Sequence, residues 1–363
     1  MERGIVMSPV QLTPKQLGYR MPAEWESQKA VWLSWPHNVE WWGSEVSRVE
    51  QGYGRWVEAL SAGQEVNVLV PNTKVKKRAC DVLQEYDVLT SNLHFYSIKT
   101  GEIFIRDYGP TFVVNDITRQ KAMVSWEFNA WGGKYENSIR DTTVPDKMNR
   151  YLKLPVFRPG IVMEGGAIDV NGCGTVLTTE SVLLNPNRNP QLSKYELEKY
   201  LCDYLGVSNV LWLNEGLFGD DTDGHIDDIA RFVNPTTVLC AFEEDPSDVN
   251  FSRLHENYRR LVGFRDQSGE LLNIIRVPMA RVDAQEHLHT GSSRKPASYL
   301  NFYIGNSAVV VPTFQDENDG RALEIIGRYF HDRKIVGIDC VDMVKDGGTL
   351  HCASQQEPGL RKF

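Results

Sequence analysis

The sequence lacks the cysteine spacings on which several small folds and metal sites depend. It has six cysteines, but no two of them form a Cys-x-x-Cys pair. This absence argues against a zinc ribbon, a thioredoxin-type redox site and a small disulfide framework. We expect most cysteines to be reduced, with Cys202 and Cys240 as structural residues of a helix and a strand. The six are Cys80, Cys173, Cys202, Cys240, Cys340 and Cys352.

Long apolar runs and clusters of basic residues are also missing. No segment approaches the about 18 apolar residues of a membrane span, and residues 1–20 contain no apolar core like that of a signal peptide. The net charge is -9, and no stripe of Lys and Arg is present to neutralise phosphates. We expect a cytoplasmic protein that binds neither nucleic acid nor membranes. An acidic chain also tolerates a cationic ligand.

No low-complexity linker divides the 363 residues, so length alone leaves one large domain or two ordinary ones open. Short apolar strands alternate with amphipathic helices, which predicts a mixed α/β architecture. The clearest unit has a capping box at Ser193 and Glu196, a helix that ends at Gly206 and a strand over 209–213. Several such cycles hint at an internal structural repeat.

The segment 219–228 is the most acidic short stretch and raises the question of a metal site. An EF-hand loop would need acidic residues where Gly219 and Ala230 stand, so that pattern fails. His225 and Asp227 remain potential ligands of a transition metal, although no second His stands at helical or strand spacing. We predict a strand over 225–232 in which these two side chains share one face and point into a site. A surface strand with solvated charges is the alternative.

Two further carboxylates stand beside glycines. Glu164 ends an apolar run before two glycines, so its burial would require pairing or protonation, although a backbone bulge also explains the glycines. The Asn171-Gly172 turn that follows predicts a hairpin over 167–178. Asp107 is predicted to end a strand before a Gly-Pro turn. Alternation along that strand would direct Arg106 to the opposite face and leave Asp107 to bind a ligand.

Cys352 lies in the glycine-containing loop 347–352 near the end of the chain. With Asp107, Glu164, His225 and Asp227, it makes the chain resemble agmatine deiminases (agmatine iminohydrolases) of the peptidyl-arginine deiminase-like group of guanidine-modifying enzymes. The resemblance extends over residues 21–356, and its motifs are specific in combination. They are Met21-Pro22-Ala23-Glu24-Trp25, Trp35-Pro36, Arg106-Asp107-Tyr108-Gly109-Pro110-Thr111-Phe112, Phe128-Asn129-Ala130-Trp131-Gly132-Gly133, Glu164-Gly165-Gly166, Leu184-Asn185-Pro186-Asn187-Arg188-Asn189-Pro190, Gly224-His225-Ile226-Asp227, Ala297-Ser298-Tyr299-Leu300-Asn301-Phe302-Tyr303 and His351-Cys352.

This resemblance implies a fold and a reaction. The fold is a five-bladed α/β propeller with pseudo-fivefold symmetry, formed by residues 1–363 as a single catalytic domain in which residues 1–20 are a peripheral N-terminal extension. The reaction needs no metal or organic cofactor and belongs to polyamine biosynthesis or agmatine degradation. The implied substrate is the small molecule agmatine, and a homo-oligomer is compatible with the sequence.

The resemblance also implies a role for each matched residue. Cys352 matches the nucleophile, His225 the general acid and base, and Glu164 the carboxylate partner of that histidine. Asp107 and Asp227 match the two acids that bind the guanidinium. In addition, Asp221 matches an acid in the substrate pocket.

The chemistry of the residues agrees with these implied roles. A guanidinium stays charged at neutral pH, so two carboxylates can hold it and orient its carbon toward a sulfur. We predict attack by Cys352, loss of ammonia through His225, a covalent S-alkylthiouronium and hydrolysis to a ureido product, N-carbamoylputrescine from agmatine. Asp221 or Asp223 would accept the far amine of agmatine. We expect Arg106 to be the only arginine of the pocket segments and to point away.

Alternatives stay open at this point. An arginine or peptidyl-arginine deiminase or an amidinotransferase would use the same cysteine chemistry, whereas a metal-dependent hydrolase or a binding module without turnover would not. Phe104 stands where the family often has Trp, and Ser354 where it usually has Thr, which bears on specificity more than on reaction type. His351, beside the nucleophile, is predicted to be a positioning residue. His287 and His289 are predicted to be a solvated pair.

Overall fold

Five small sheets organise the structure. The computed structural model describes residues 12–38, 42–88, 90–283 and 293–360. Strands in these ranges are β1 (Gln28–Ser34), β2 (Glu65–Val70), β3 (Leu93–Ser97), β4 (Thr111–Asn115), β5 (Gln120–Val124), β6 (Val156–Phe157), β7 (Asp169–Val170), β8 (Thr175–Thr179), β9 (Asn209–Leu213), β10 (Ala230–Asn234), β11 (Thr237–Phe242), β12 (Asn273–Pro278), β13 (Tyr303–Ile304), β14 (Ala308–Thr313), β15 (Lys334–Asp339) and β16 (Ser354–Pro358).

One plan of strand pairing recurs in all five sheets. Four sheets have the orders β4-β5-β6, β7-β8-β9, β10-β11-β12 and β13-β14-β15, each with an antiparallel pair followed by a parallel pair. The fifth sheet, β16-β1-β2-β3, keeps this plan because the C-terminal strand β16 pairs antiparallel with β1 before the parallel pairs begin. The chain therefore closes on itself, and the predicted five-bladed α/β propeller with pseudo-fivefold symmetry is confirmed.

Helices connect the parallel strands of these sheets. The unit with the clearest sequence signals forms as predicted: Ser193 and Glu196 make a reciprocal capping box, and the helix stops at Gly206, whose φ is 71°. Its strand, β9, pairs in parallel with β8. The α-helices of the described ranges are Val46–Ser61, Thr73–Glu85, Ile105–Tyr108, Ala130–Gly133, Val144–Leu152, Glu180–Leu183, Lys194–Leu205, Phe251–Leu261 and Asp319–Gly327.

Two predicted strands are wrong where they carry candidate site residues. Where Asp107 was predicted to end a strand, the segment Ile105–Tyr108 forms one helical turn, closed by the Gly109 N–H on the Ile105 carbonyl at 2.8 Å, and the strand begins only at Thr111. Within 225–232, Ile226–Asp228 is a 3-10 turn and the strand begins at Ala230. In both places tertiary bonds to other loops outweigh the local apolar pattern.

The remaining sequence predictions are met in part. The hairpin over 167–178 is confirmed by the antiparallel pair β7 and β8. Cys240 is buried in β11, and Cys202 is half-buried in its helix. Residues 1–11 of the predicted extension, and the pair His287 and His289, lie outside the described residues. No helix in the described part of the chain is long and apolar enough to cross a membrane.

Candidate active site

Closure of the ring positions Cys352. This cysteine lies in a turn just before β16 and is 3% exposed. Its carbonyl accepts the Arg106 N–H at 3.0 Å, which ties the C-terminal loop to the helical turn that carries Asp107. Gly348 has to be a glycine here, because a Cβ would lie 2.8 Å from the Phe104 ring and 3.0 Å from Cys352 Cβ.

Asp107 faces the site from its one-turn helix. Its Oδ2 accepts the Trp131 Nε1–H at 2.9 Å, and its Oδ1 accepts the Gly166 N–H at 3.0 Å. The same Oδ1 lies 3.6 Å from Nδ1 of His225. Burial raises the pKa of Asp107 to about 6, with the imidazole lowering it and Asp227 raising it. The carboxyl therefore titrates close to neutrality before any cation binds.

His225 is fully buried beside the second glycine of the Glu164-Gly165-Gly166 motif. A Cβ on Gly166 would lie 2.4 Å from the imidazole Nδ1, so the glycine makes room for the ring. Neither ring nitrogen has a hydrogen-bond partner among the described residues. Burial lowers the pKa of His225, but the charges of Asp107, Glu164 and Asp227 outweigh burial and raise it overall. The ring is thus available for proton transfer to a bound molecule.

Glu164 makes its close contact with a residue to which the sequence analysis gave no role. Its Oε1 accepts the Arg188 Nε–H at 2.6 Å, and both side chains are completely buried. Its Oε2 has no partner in the described ranges, although the carboxylate is near enough to raise the pKa of His225. The expectation that Arg106 is the only arginine of the pocket segments is therefore wrong. Arg188 lies in the quoted motif 184–190, but nothing in the sequence indicates that its side chain is buried.

Arg106 itself points away from the pocket, as predicted. Its Nη1 donates to Oε1 of Gln356 at 2.6 Å and its Nε donates to the His351 carbonyl at 3.2 Å. The reason differs from the predicted one, because the residue lies on a helical turn and not on a strand.

Asp227 is held by the histidine that precedes Cys352. His351 Nδ1 lies 2.6 Å from Oδ2 of Asp227, and its Nε2 lies 2.8 Å from Oε2 of Glu24. Burial raises the pKa of Asp227, but the hydrogen bond and charge of His351 outweigh burial and lower it overall. Its Oδ1 has no partner among the residues described. Since both nitrogens of His351 contact carboxylates, this ring positions Asp227.

The thiol of Cys352 is surrounded by acids. Its Sγ lies 3.5 Å from Oδ2 of Asp227 and accepts the Asn301 Nδ2–H at 3.1 Å. Burial raises the pKa of the thiol well above its usual value, and Asp227, Asp228 and Asp107 raise it further, while the Asn301 bond lowers it. A cation beside the sulfur would offset these charges and favour the thiolate.

One pocket connects Cys352 with Asp107 and Asp221. Roughly 390 Å³ of space free of protein atoms lies in and around it, part of which is open to solvent. Four carboxylic acids line it, and no basic side chain does so among the described residues. The lining residues are Glu102, Phe104, Asp107, Trp131, Tyr135, Asp221, Thr222, Asp346, Gly347, Gly348 and Cys352.

The two acids proposed for the far amine differ in their surroundings. Asp221 lines the pocket, and its Oδ2 accepts the Tyr135 hydroxyl. Asp223 instead bonds Nζ of Lys134 at 2.6 Å and Nη1 of Arg188 at 2.8 Å. These two cations neutralise Asp223, so Asp221 is the better acceptor for a ligand cation.

The geometry also bears on the metal alternative. Ligand atoms of Asp227, Asp228 and Cys352 lie within 4.8 Å of one another, so this trio could hold a metal ion. In the acidic loop, Asp220 accepts the backbone N–H groups of Thr222 and His225 and serves as a turn residue.

Comparisons with known proteins show which family the chain resembles over most of its length. A family model described as Porphyromonas-type peptidyl-arginine deiminase matches residues 20–358. A protein of Legionella pneumophila named "Putative agmatine deiminase" is 36% identical over 352 residues, which cover 96% of this chain and 98% of the relative.

Solved structures give the same result. The structure of Enterococcus faecalis agmatine deiminase, described as catalysing its reaction, is 36% identical, with a TM-score of 0.88 over 96% of this chain and 98% of that one. A C. jejuni agmatine deiminase with a serine in place of one cysteine and with substrate bound is 29% identical, with a TM-score of 0.83 over 94% and 97%.

Proposed function

The chain belongs to the Porphyromonas-type peptidyl-arginine deiminase family, and from this premise we propose that it is an agmatine deiminase, which hydrolyses agmatine to N-carbamoylputrescine and ammonia. One observation carries the proposal: a buried cysteine and four carboxylic acids line a single pocket in which no described lining residue is basic. Such a pocket suits a small molecule that is cationic at both ends, as agmatine is.

Asp107 and Asp227 are proposed to bind the guanidinium. Oδ1 of Asp227 is a buried acceptor without a described partner, so N–H groups of the ligand would satisfy it. Asp107 keeps its oxygens oriented through the Trp131 and Gly166 donors. A planar cation held between two fixed carboxylates presents its carbon to the Cys352 sulfur.

The reaction then proceeds in two halves. The Cys352 thiolate attacks the guanidinium carbon, and His225 donates a proton to one amino group, which leaves as ammonia when its C–N bond breaks. The product of this half is an S-alkylthiouronium. In the second half His225 takes a proton from water, the hydroxide adds to the same carbon, and the C–S bond breaks to return the thiolate. The protonated ureido group that results loses its O–H proton to solvent, which gives the ureido product.

Agmatine is favoured over arginine by the charge of the pocket. An α-carboxylate would have to enter beside the carboxyl groups of Asp221, Glu102 and Asp346, and no described lining residue offers it a cation. Arg188, a buried cation close to Asp223, is already engaged by Glu164 and Asp223. The amine of agmatine meets no such penalty.

The test compares substrates and variants. We expect ammonia and N-carbamoylputrescine from agmatine, little from arginine or a blocked arginyl peptide, and none in Cys352→Ser. Cys173→Ser is the matched control, because Cys173 is exposed and should be replaceable without loss. Activity that survives Cys352→Ser but is lost with a chelator would favour the metal-dependent hydrolase. Agmatine that binds without product over hours would favour a binding module.

A further inference from the structure

Asn301 contacts the reacting sulfur directly, and on the basis of the proposed function we infer that it is a further catalytic residue, which stabilises and aims the Cys352 thiolate by donating an amide N–H to it. The residue is fully buried and stands two positions before β13. Its Nδ2 lies 3.1 Å from Sγ. No other group of the described ranges donates a hydrogen bond to this sulfur.

The orientation of the amide is fixed by its oxygen. Oδ1 accepts the Thr349 hydroxyl at 2.8 Å, the His351 N–H at 3.1 Å and the Cys352 N–H at 3.2 Å. A flipped amide would place its NH₂ against three donors, so the NH₂ has to face the sulfur. The same three bonds hold the backbone of the cysteine loop in register with the amide.

The carboxyl of Asp228 is also buried near the sulfur, with ligand atoms of Asp228 and Cys352 within 4.8 Å of each other. Burial and the charges of Asp227 and Asp220 raise the pKa of Asp228 well above its usual value. The sulfur therefore lies close to the acidic groups of Asp227 and Asp228, and Asn301 is the neutral donor beside it.

The reaction needs such a donor most in its second half. Once the C–S bond of the tetrahedral intermediate has broken and the ureido group has lost its proton, the reacting end of the product is neutral, so the guanidinium charge that favoured the thiolate in the first half is gone. The sulfur then regains its negative charge beside Asp227, at 3.5 Å. A neutral amide donor stabilises that charge without repelling the cationic substrate.

Two variants test the inference through different measurements. Asn301→Asp keeps an oxygen for the three loop donors, but its second oxygen can donate to the sulfur only while it is protonated. We expect its kcat for agmatine, as a fraction of wild type, to fall by about tenfold or more between pH 6 and pH 9. Thr349→Val removes one hydrogen bond to Oδ1 and none to Sγ. The ratio of its kcat to that of wild type should therefore not change with pH. A flat ratio for Asn301→Asp would overturn the inference.

The second variant, Asn301→Ala, removes the donor altogether. Without substrate, alkylation of Cys352 by iodoacetamide at pH 8.5 should slow by about tenfold to a hundredfold relative to wild type, the range of a hydrogen bond to a charged group. Asp332→Asn, at a side chain that is 78% exposed, is the control and should alkylate at the wild-type rate. This measurement needs no substrate, so it stands even if agmatine is not turned over. Wild-type alkylation rates in folded Asn301→Ala, or failure of both Asn301 variants to fold, would mean a purely structural role.

Discussion

Asp107→Asn should lower the activity, and its effect on the free energy of unfolding should depend on pH. Asp107 is 4% exposed, and burial raises its pKa to about 6. Below that pH the carboxyl is neutral and its burial costs little. Above it the native state has to hold a buried charge that the unfolded chain would hold in water. Asparagine has nearly the same shape and never carries the charge.

The magnitude follows from the difference in pKa between the two states. A shift from 3.8 to about 6 corresponds to about 3 kcal/mol at 1.36 kcal/mol per pH unit. Because the pKa is raised in the folded state, the native protein binds more protons than the unfolded chain between these values. The carboxyl therefore lowers the free energy of unfolding as pH rises through this window. The raised pKa of His225 acts in the same direction at slightly higher pH.

The substitution also has a cost that does not depend on pH. One asparagine oxygen can accept from Trp131 or from Gly166, but the NH₂ then faces the other donor, at a cost of about 1–3 kcal/mol. Asp107→Asn should therefore be less stable than wild type near pH 4.5. Near pH 8 it should be as stable or more stable, while kcat/KM for agmatine falls by about a hundredfold or more.

Urea denaturation of both proteins at pH 4.5, 6 and 8 would measure the change. The difference in unfolding free energy between variant and wild type should shift in favour of the variant by about 2 kcal/mol from pH 4.5 to pH 8, because about 1 kcal/mol of the total effect already arises below pH 4.5. Asp332→Asn, at a side chain that is 78% exposed, is the control and should follow the wild-type curve. Parallel curves for Asp107→Asn and wild type would refute the reasoning, because they would mean that burial does not penalise the charge.

Three further predictions concern the groups around this centre. Arg188→Met should lower the free energy of unfolding, measured with urea, by about 3–5 kcal/mol, because Glu164 keeps a buried charge without its partner; a loss under about 1 kcal/mol would contradict this. Asp221→Asn should raise the KM for agmatine by about tenfold or more with kcat little changed, and an effect on kcat alone would place Asp221 away from the amine. Gly348→Ala should lower kcat by about tenfold or more, since the new methyl lies 2.8 Å from the Phe104 ring; unchanged kcat would show that the loop adapts.

Sequence patterns predicted correctly those elements that are stabilised by residues close together in the sequence. The capping box at Ser193 and the stop at Gly206 satisfy helix ends with residues close in sequence, so their outcome did not depend on the rest of the fold. Asp107 and His225 were predicted on strands because apolar residues precede or follow them. Their turns are instead fixed by long-range bonds, such as the Arg106 N–H on the Cys352 carbonyl at 3.0 Å, which no local pattern encodes.

The site shows the same division between local and long-range information. The resemblance brought together the residues that meet around Cys352, because each motif carries a distinctive chemical group. It did not reveal that Arg188 takes the Glu164 oxygen or that Asn301 contacts the sulfur. Both partners stand in quoted motifs, but pairing across 24 and 51 positions depends on how the blades pack.

The acidic residues around Cys352 explain why its thiol has low reactivity in the absence of substrate. In the absence of a cation, Asp227, Asp228 and Asp107 all raise the pKa of the Cys352 thiol, so the sulfur is a poor nucleophile. A bound guanidinium neutralises the same carboxylates, so the Cys352 thiolate no longer lies beside uncompensated negative charge. The guanidinium carbon is then already positioned next to the sulfur that attacks it. A neutral ligand of the same shape as the guanidinium would leave the negative charges of the carboxylates uncompensated, so the thiol would stay protonated. Selectivity for guanidinium therefore comes from activation of the nucleophile as well as from binding, which predicts that neutral isosteres fail in kcat even at concentrations that fill the pocket.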